Sequence, residues 1–275
     1  MKILILSHNC MSNNNNMGKA MLSLFEKFDK KELCQLYIYP SIPDIDKCNS
    51  YYRITDRESL KSLYTFKKYG HEIDKSLIRK SNSLYDNNRD MKILKIKKSN
   101  LKSYLRDRVW KLSCTLNDNL KDWLNREKPT HIVAFPGNYC FFYNLVVKIK
   151  DYLNIPLITY FCDDYYVSDK NKISNYQRLL NRKISEIITK SNNIITISNT
   201  MSGLYSKIFR KNISTIMLGS KQNIKKCNNV LNVTELCNIS YIGNVSNHRY
   251  CNLIDFGKAL DIINNKKKSN HGMVT

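Results

Sequence analysis

The apolar positions of this chain follow two rhythms in alternation. Residues 2–7, KILILS, are a nearly unbroken apolar run, and after the polar loop HNCMSNNNN come Met17, Met21, Leu24, Phe25 and Phe28 at helical spacing. That order predicts strand, loop, helix. LCQLYIY supplies a second strand near residues 33–39, followed by a polar, basic stretch to about residue 100 that assigns no element. Leu101, Tyr104, Leu105, Val109, Leu112, Leu116, Leu120, Trp123 and Leu124 then keep one face, which predicts one long helix stopping before Pro129. From there HIVAF (131–135), a turn PGNY, a helix carrying Phe142, Leu145, Val146, Ile149 and Leu153, and PLITYF (156–161) read as strand, helix, strand. A further helix before NIITIS (193–198), another over 200–209 and ISTIML (213–218) continue the alternation. Strands that are apolar throughout and separated by helices predict an α/β fold, a doubly wound parallel sheet covered on both faces.

The polar and basic stretch 219–235 breaks that rhythm and reads as a linker between a first domain over 1–218 and a new start over 236–275. Within the latter, ELCNISYIGNVSNHRYCNLIDFGKAL predicts a buried strand over 239–242, a turn at Gly243 and an amphipathic helix, the first β-α unit of a second domain. The tail NNKKKSNHGMVT leaves the pattern, as a premature stop would produce.

Composition narrows the class. Of 275 residues 42% are apolar, enough for a core, and the formal charge of +22, from 45 basic against 23 acidic residues, implies attraction to something anionic. A phosphate-bearing ligand, an anionic lipid surface and nucleic acid all satisfy that requirement, and compositional bias of the source would produce the same excess. The nine cysteines are scattered, with no C-x-x-C pair, so neither a disulfide framework nor a zinc site is indicated, and a reducing cytosol suits them. MKILILSHN has too short an apolar run for a signal peptide, and no stretch approaches the roughly 18 apolar residues of a membrane span. A cytoplasmic protein is expected, free or peripheral at the inner face of the membrane. Lys92, Lys95, Lys97, Lys98, Lys102, Arg106, Arg108 and Lys111 gather near the start of the long helix and would suit anionic lipid, or simply form a solvated face.

In open parallel sheets ligands bind beyond the carboxyl ends of the strands, so those loops carry the candidate chemistry. After the first strand lie His8 and then Asn16 and Gly18 at a helix start, where free N–H groups favour a phosphate; an ordinary polar loop is the competing reading. After PLITYF comes CDDYY, whose Asp163 and Asp164 can bind sugar hydroxyls, orient an acceptor or hold a metal, or else cap the next helix. Gly137, Asn138 and Tyr139 stand on the same rim, suited to packing against a sugar or to closing a turn. Ser198 and Asn199 sit at a strand end or serve as a helix N-cap, and in the second unit Gly243 and Arg249 could meet a phosphate.

In order, MKILILSHN with its loop to Gly18, PLITYFCDDYY, NNIITISNTMSGLYSKIF and ISYIGNVSNHRYCNLIDFGKAL resemble the retaining GT-B glycosyltransferases, family 4-like sugar transferases of bacterial capsule and lipopolysaccharide assembly. The resemblance implies two Rossmann-like domains around a cleft, the first for the acceptor and the second for the nucleotide sugar. It implies that Asn16, Gly18, Gly243 and Arg249 approach the donor diphosphate, and that Asp163 and Asp164 are the catalytic carboxylates facing the sugar. His8, Gly137, Asn138, Tyr139, Ser198 and Asn199 then line the acceptor side. It implies no metal and no cofactor, with a nucleotide sugar and a glycan or lipid-linked acceptor as partners. Two departures stand out: Cys162 and Asp163 stand where the family often carries a His, and the donor-gripping E-x7-E element is not reached. On this reading the chain alone is expected to turn over poorly. The rival readings are a basic nucleic-acid-binding module, for which no helix-turn-helix, zinc-finger or RNP-type signal is present, and a non-catalytic subunit that needs a separate donor domain.

Overall fold

Ile3–Ser7 forms β1, and its alternation explains why the run is apolar throughout: Leu4 and Leu6 join one core cluster while Ile3 and Ile5 join another. A strand buried on both faces has no polar side to present. The computed structural model describes residues 1–65, 69–80, 100–113, 115–169, 173–219, 239–243, 245 and 249–271. These fall into two units, Met1–Lys221 and Gln222–Thr275.

In the first unit the strands are β1, β2 (Leu33–Tyr37), β3 (Ser50–Arg53), β4 (His71–Glu72), β5 (His131–Phe135), β6 (Leu157–Phe161), β7 (Asn193–Thr196) and β8 (Ser214–Thr215). They form one eight-stranded sheet in the order β4-β3-β2-β1-β5-β6-β7-β8, parallel except for the antiparallel edge pair β3/β4. The helices are α1 (Asn16–Leu24), α2 (Asp56–Thr65), α3 (Lys75–Lys80), α4 (Asn100–Leu112), α5 (Asp118–Glu127), α6 (Cys140–Leu153), α7 (Asn175–Lys190) and α8 (Asn199–Phe209). Met21 and Phe25, on α1 and at its end, pack into the cluster of Ile3 and Ile5, whereas α6, α7 and α8 pack into the cluster of Leu4 and Leu6. The connections leaving β1 and β5 therefore run to opposite faces, and the sheet is a doubly wound, Rossmann-like α/β sheet. Its topological switch point lies between β1 and β5, where the loops leaving adjacent strands turn to opposite faces, the place where sheets of this kind take ligands.

The long helix expected over 101–124 is two helices. Ser113 bonds Ser59 at 2.8 Å through their hydroxyls, and Asn117 both accepts from Leu120 N at 3.1 Å and donates to the Tyr69 carbonyl at 2.8 Å. Those side chains offer the backbone an alternative to continued helix, so α5 restarts on an Asn N-cap. The apolar face assigned to the first half is also largely outside the core: Leu101, Leu105 and Leu112 are exposed and Trp110 is the buried residue of α4. Helices α5, α6 and α8 end on left-handed residues, Lys128, Asn154 and Arg210, with φ of 47°, 50° and 51°.

In the second unit α9 (Arg249–His271) is present as expected. The strand expected at 239–242 is not formed: these residues carry no strand pairing, and Ile239 and Ile242 are exposed at 57% and 97%. A strand is stable only against a partner, and among the described residues none pairs with this segment. The linker residues 220–235, and Lys92, Lys95, Lys97 and Lys98 of the basic cluster, lie outside the described residues.

Candidate functional site

The loop after β1 is fixed from below. Gln35 of β2, fully buried, donates to the Ser7 hydroxyl at 2.8 Å and to the Asn9 carbonyl at 3.2 Å, and its Oε1 accepts from Met11 N at 3.0 Å. The His8 carbonyl accepts from Ile38 N and Tyr39 N, which ties the loop to the end of β2. Buried polar groups of this kind are satisfied only in one arrangement, so the loop has a defined shape. Asn15 caps α1 by accepting from Gly18 N at 2.6 Å. A Cβ on Gly18 would stand 2.4 Å from the Ser12 carbonyl oxygen, so glycine is what lets helix and loop touch. Asn16 is exposed at the first position of α1.

The loop after β5 meets this one across the switch point. Tyr139, the residue preceding α6, stacks on His8 with ring centroids 5.3 Å apart and an interplanar angle of 23°. Gly137 has open space where a side chain would project, and its carbonyl accepts from the Tyr143 hydroxyl at 2.8 Å. Asn138 is half-buried between them.

Arg106 of α4 completes the group. Its guanidinium lies 4.3 Å from the Tyr139 ring centroid and 4.6 Å from that of Phe141. Its Nε donates to Asp56 Oδ1 at 2.8 Å and its Nη2 approaches His8 Nε2 at 3.4 Å. Asp56 Oδ1 also accepts from Trp110 Nε1 at 2.7 Å, and Trp110 stacks on Phe141 at 4.5 Å. Arg106 therefore does not belong to a solvated basic face; its side chain is 17% exposed, whereas Lys102, Arg108 and Lys111 of the same cluster are exposed. Asp56 was not singled out in the sequence, and Arg106 only as one of the basic residues near the start of the long helix. The available signal was the i, i+4 spacing of Arg106 and Trp110, which puts a cation and an aromatic on one helix face.

Asp163 and Asp164 follow β6 on the same sheet edge, and both are exposed. Asp163 accepts from the Tyr165 hydroxyl at 2.9 Å; Asp164 accepts from Tyr166 N at 3.1 Å and from the Tyr205 hydroxyl at 2.9 Å. Burial, with Asp163 nearby, pushes the Tyr165 phenol up. Neither carboxylate caps α7, whose cap is Ser174. Met17 Sδ lies 3.8 Å from Cys162 Sγ, which sets the start of α1 beside the residue preceding Asp163. Burial, with Asp163 beside it, pushes the Cys162 thiol up to about 12, which disfavours the thiolate.

Ser198 is the N-cap of α8, accepting from Met201 N at 3.3 Å, and Asn199 is exposed beside it. The structure thus joins His8 with Tyr139, and Gly18's helix with Cys162, while Ser198 takes a capping role. Gly243 and Arg249 belong to the second unit. Among the described residues no group of three or more His, Cys, Asp or Glu side chains is placed to hold a metal ion, and no helix is long and apolar enough to cross a membrane. No known protein family matches the chain, and no curated protein matches it.

Proposed function

We propose that the first unit is the acceptor-binding half of a retaining GT-B-type glycosyltransferase, and that it takes a saccharide into the crevice between the β1 and β5 loops. The observation that carries this reading is the convergence at the switch point of His8, Tyr139 and Arg106, from three different elements, on an edge that also bears Asp163 and Asp164. Aromatic faces suit the C–H surface of a sugar ring, and exposed carboxylates accept its hydroxyl protons. In the reaction, the acceptor hydroxyl forms the new glycosidic bond as the bond to the nucleoside diphosphate breaks, with configuration retained. Charge on that leaving group is offset by cations and N–H groups. By resemblance Gly243 and Arg249 serve the donor. A lipid-linked acceptor would place the protein at the cytoplasmic face of a membrane, a reading supported by exposed Lys102, Arg108 and Lys111 on α4.

The test uses the purified chain with a panel of lipid-linked saccharides and nucleotide sugars, measuring acceptor binding and following product by mass spectrometry. Acceptor binding is expected, and Tyr139→Ala should weaken it about tenfold, which corresponds to about 1.4 kcal/mol. Undiminished binding by that variant, or binding to random DNA with a steep salt slope and none to saccharide, would overturn the reading.

A further inference from the structure

We infer that Arg106 reads an oxyanion, a carboxylate or phosphate, on the molecule taken into the crevice, so that the acceptor is an acidic rather than a neutral saccharide. The inference rests on the saccharide reading above and names its substrate class.

The argument starts from how the guanidinium is used. An arginine presents five N–H donors in a planar fork, and this one commits only its inner edge, Nε to Asp56 and Nη2 toward His8. Nη1 donates to no protein acceptor among the described residues, and Nη2 carries a second N–H besides the one that faces His8. Nη1 is not among the fully buried polar atoms that lack a partner, so with no protein acceptor it keeps access to solvent. Meanwhile the plane is held in place: Tyr139 and Phe141 lie against it, and Asp56 is itself held by Trp110 Nε1. A fork held rigid on one edge and open on the other fits the paired oxygens of a carboxylate or phosphate, with little side-chain entropy left to lose on binding. The excess of positive charge on the chain favours the same class of ligand.

The two tryptophans make the test specific. Trp110 Nε1–H is bonded to Asp56, one bond removed from Arg106, whereas Trp123 Nε1–H is bonded to Ser50 at 3.0 Å, at the amino end of β3 and the opposite edge of the sheet. With the full chain labelled at its indole nitrogens, NMR titrations with glucuronate, glucose, glucose 6-phosphate and inorganic phosphate follow the two signals separately. Glucuronate or glucose 6-phosphate should move the Trp110 signal saturably, at concentrations at least about tenfold below those needed for glucose, and leave Trp123 in place. The ranking of glucuronate against the two phosphates identifies which oxyanion is read. Arg106→Gln should abolish the preference for acid over glucose, and Arg106→Lys should weaken it because a lysine has no fork. An unmoved Trp123 signal in the variants shows that the core is intact. Equal response to glucose and glucuronate would overturn the inference and leave the saccharide site standing. Response to none of the sugars would overturn both, and acid preference surviving in Arg106→Gln would overturn the role of Arg106.

Discussion

Glu127 shows how much a single buried charge can depend on its neighbours. It is 5% exposed at the end of α5, ion-paired with Lys2 and accepting from Asn49 at 3.0 Å. Burial alone would raise its carboxyl, but the bonds from Lys2, Asn49 and Ser50 outweigh that and hold it below the ordinary 4.5. The folded chain thus binds this proton less tightly than the unfolded one. Its stabilising contribution is complete above pH 4.5 and is lost as pH falls through the lower folded value. Glu127→Gln should therefore cost about 1–3 kcal/mol in denaturant unfolding at pH 7, and the difference from wild type should shrink towards pH 3. A pH-independent difference would show that the charge is not what matters. At this scale the sequence was legible where the signal is local. His8, Gly18, Tyr139, Asp163 and Asp164 were legible as positions at strand ends and helix starts, where the structure has them. Arg106 was not, because its partners Asp56 and His8 lie 50 and 98 residues away, and one cation within a basic run has nothing local to set it apart.

Elements were legible where their apolar residues form an unbroken or periodic run. The strands of the sheet's centre, β1, β2, β5, β6 and β7, appear as apolar runs because both of their faces are covered. The buried β3, Ser-Tyr-Tyr-Arg, and the two-residue edge strand β4, His-Glu, gave no apolar run to detect. The break between α4 and α5 was equally hidden, since the apolar period continues through it and the bonds that impose it come from Ser59 and from the Tyr69 carbonyl. Asn117 is the residue on which that break turns. Replacing it with Ala removes the cap on Leu120 N and strips the buried Tyr69 carbonyl of a donor. Asn117→Ala should cost about 1–2 kcal/mol, measured as a shift in the denaturant midpoint at constant slope. An unchanged midpoint would mean that the helix restarts on packing alone. The segment at 239–242 teaches the reverse lesson: an apolar run is necessary for a buried strand, but the partner that pairs with it decides whether one forms.

At the scale of the molecule, the doubly wound order puts the two edges of the sheet to different uses. Loops leaving the carboxyl ends of β1, β5 and β6 carry the candidate chemistry, while the chain returns to the amino ends through the helix termini. Two of those returns, Lys128 after α5 and Arg210 after α8, hold side chains in the left-handed region, where a non-glycine residue costs about 1–2 kcal/mol. Asn154, in the same conformation, is a residue type that tolerates it better. Lys128→Gly and Arg210→Gly should each raise stability by about 0.5–1 kcal/mol after the entropic cost of glycine, and the double variant should show nearly the sum in its Tm. Destabilisation by either would locate a compensating contact for that side chain. Because both positions precede strands at the amino edge, the gain arises away from the crevice. Variants relieved at these two termini would start with a margin against unfolding, and could absorb changes to the loops at the carboxyl edge. In this fold, the capacity to acquire new specificity would then be set in part by two residues on the edge opposite the one where specificity is exercised.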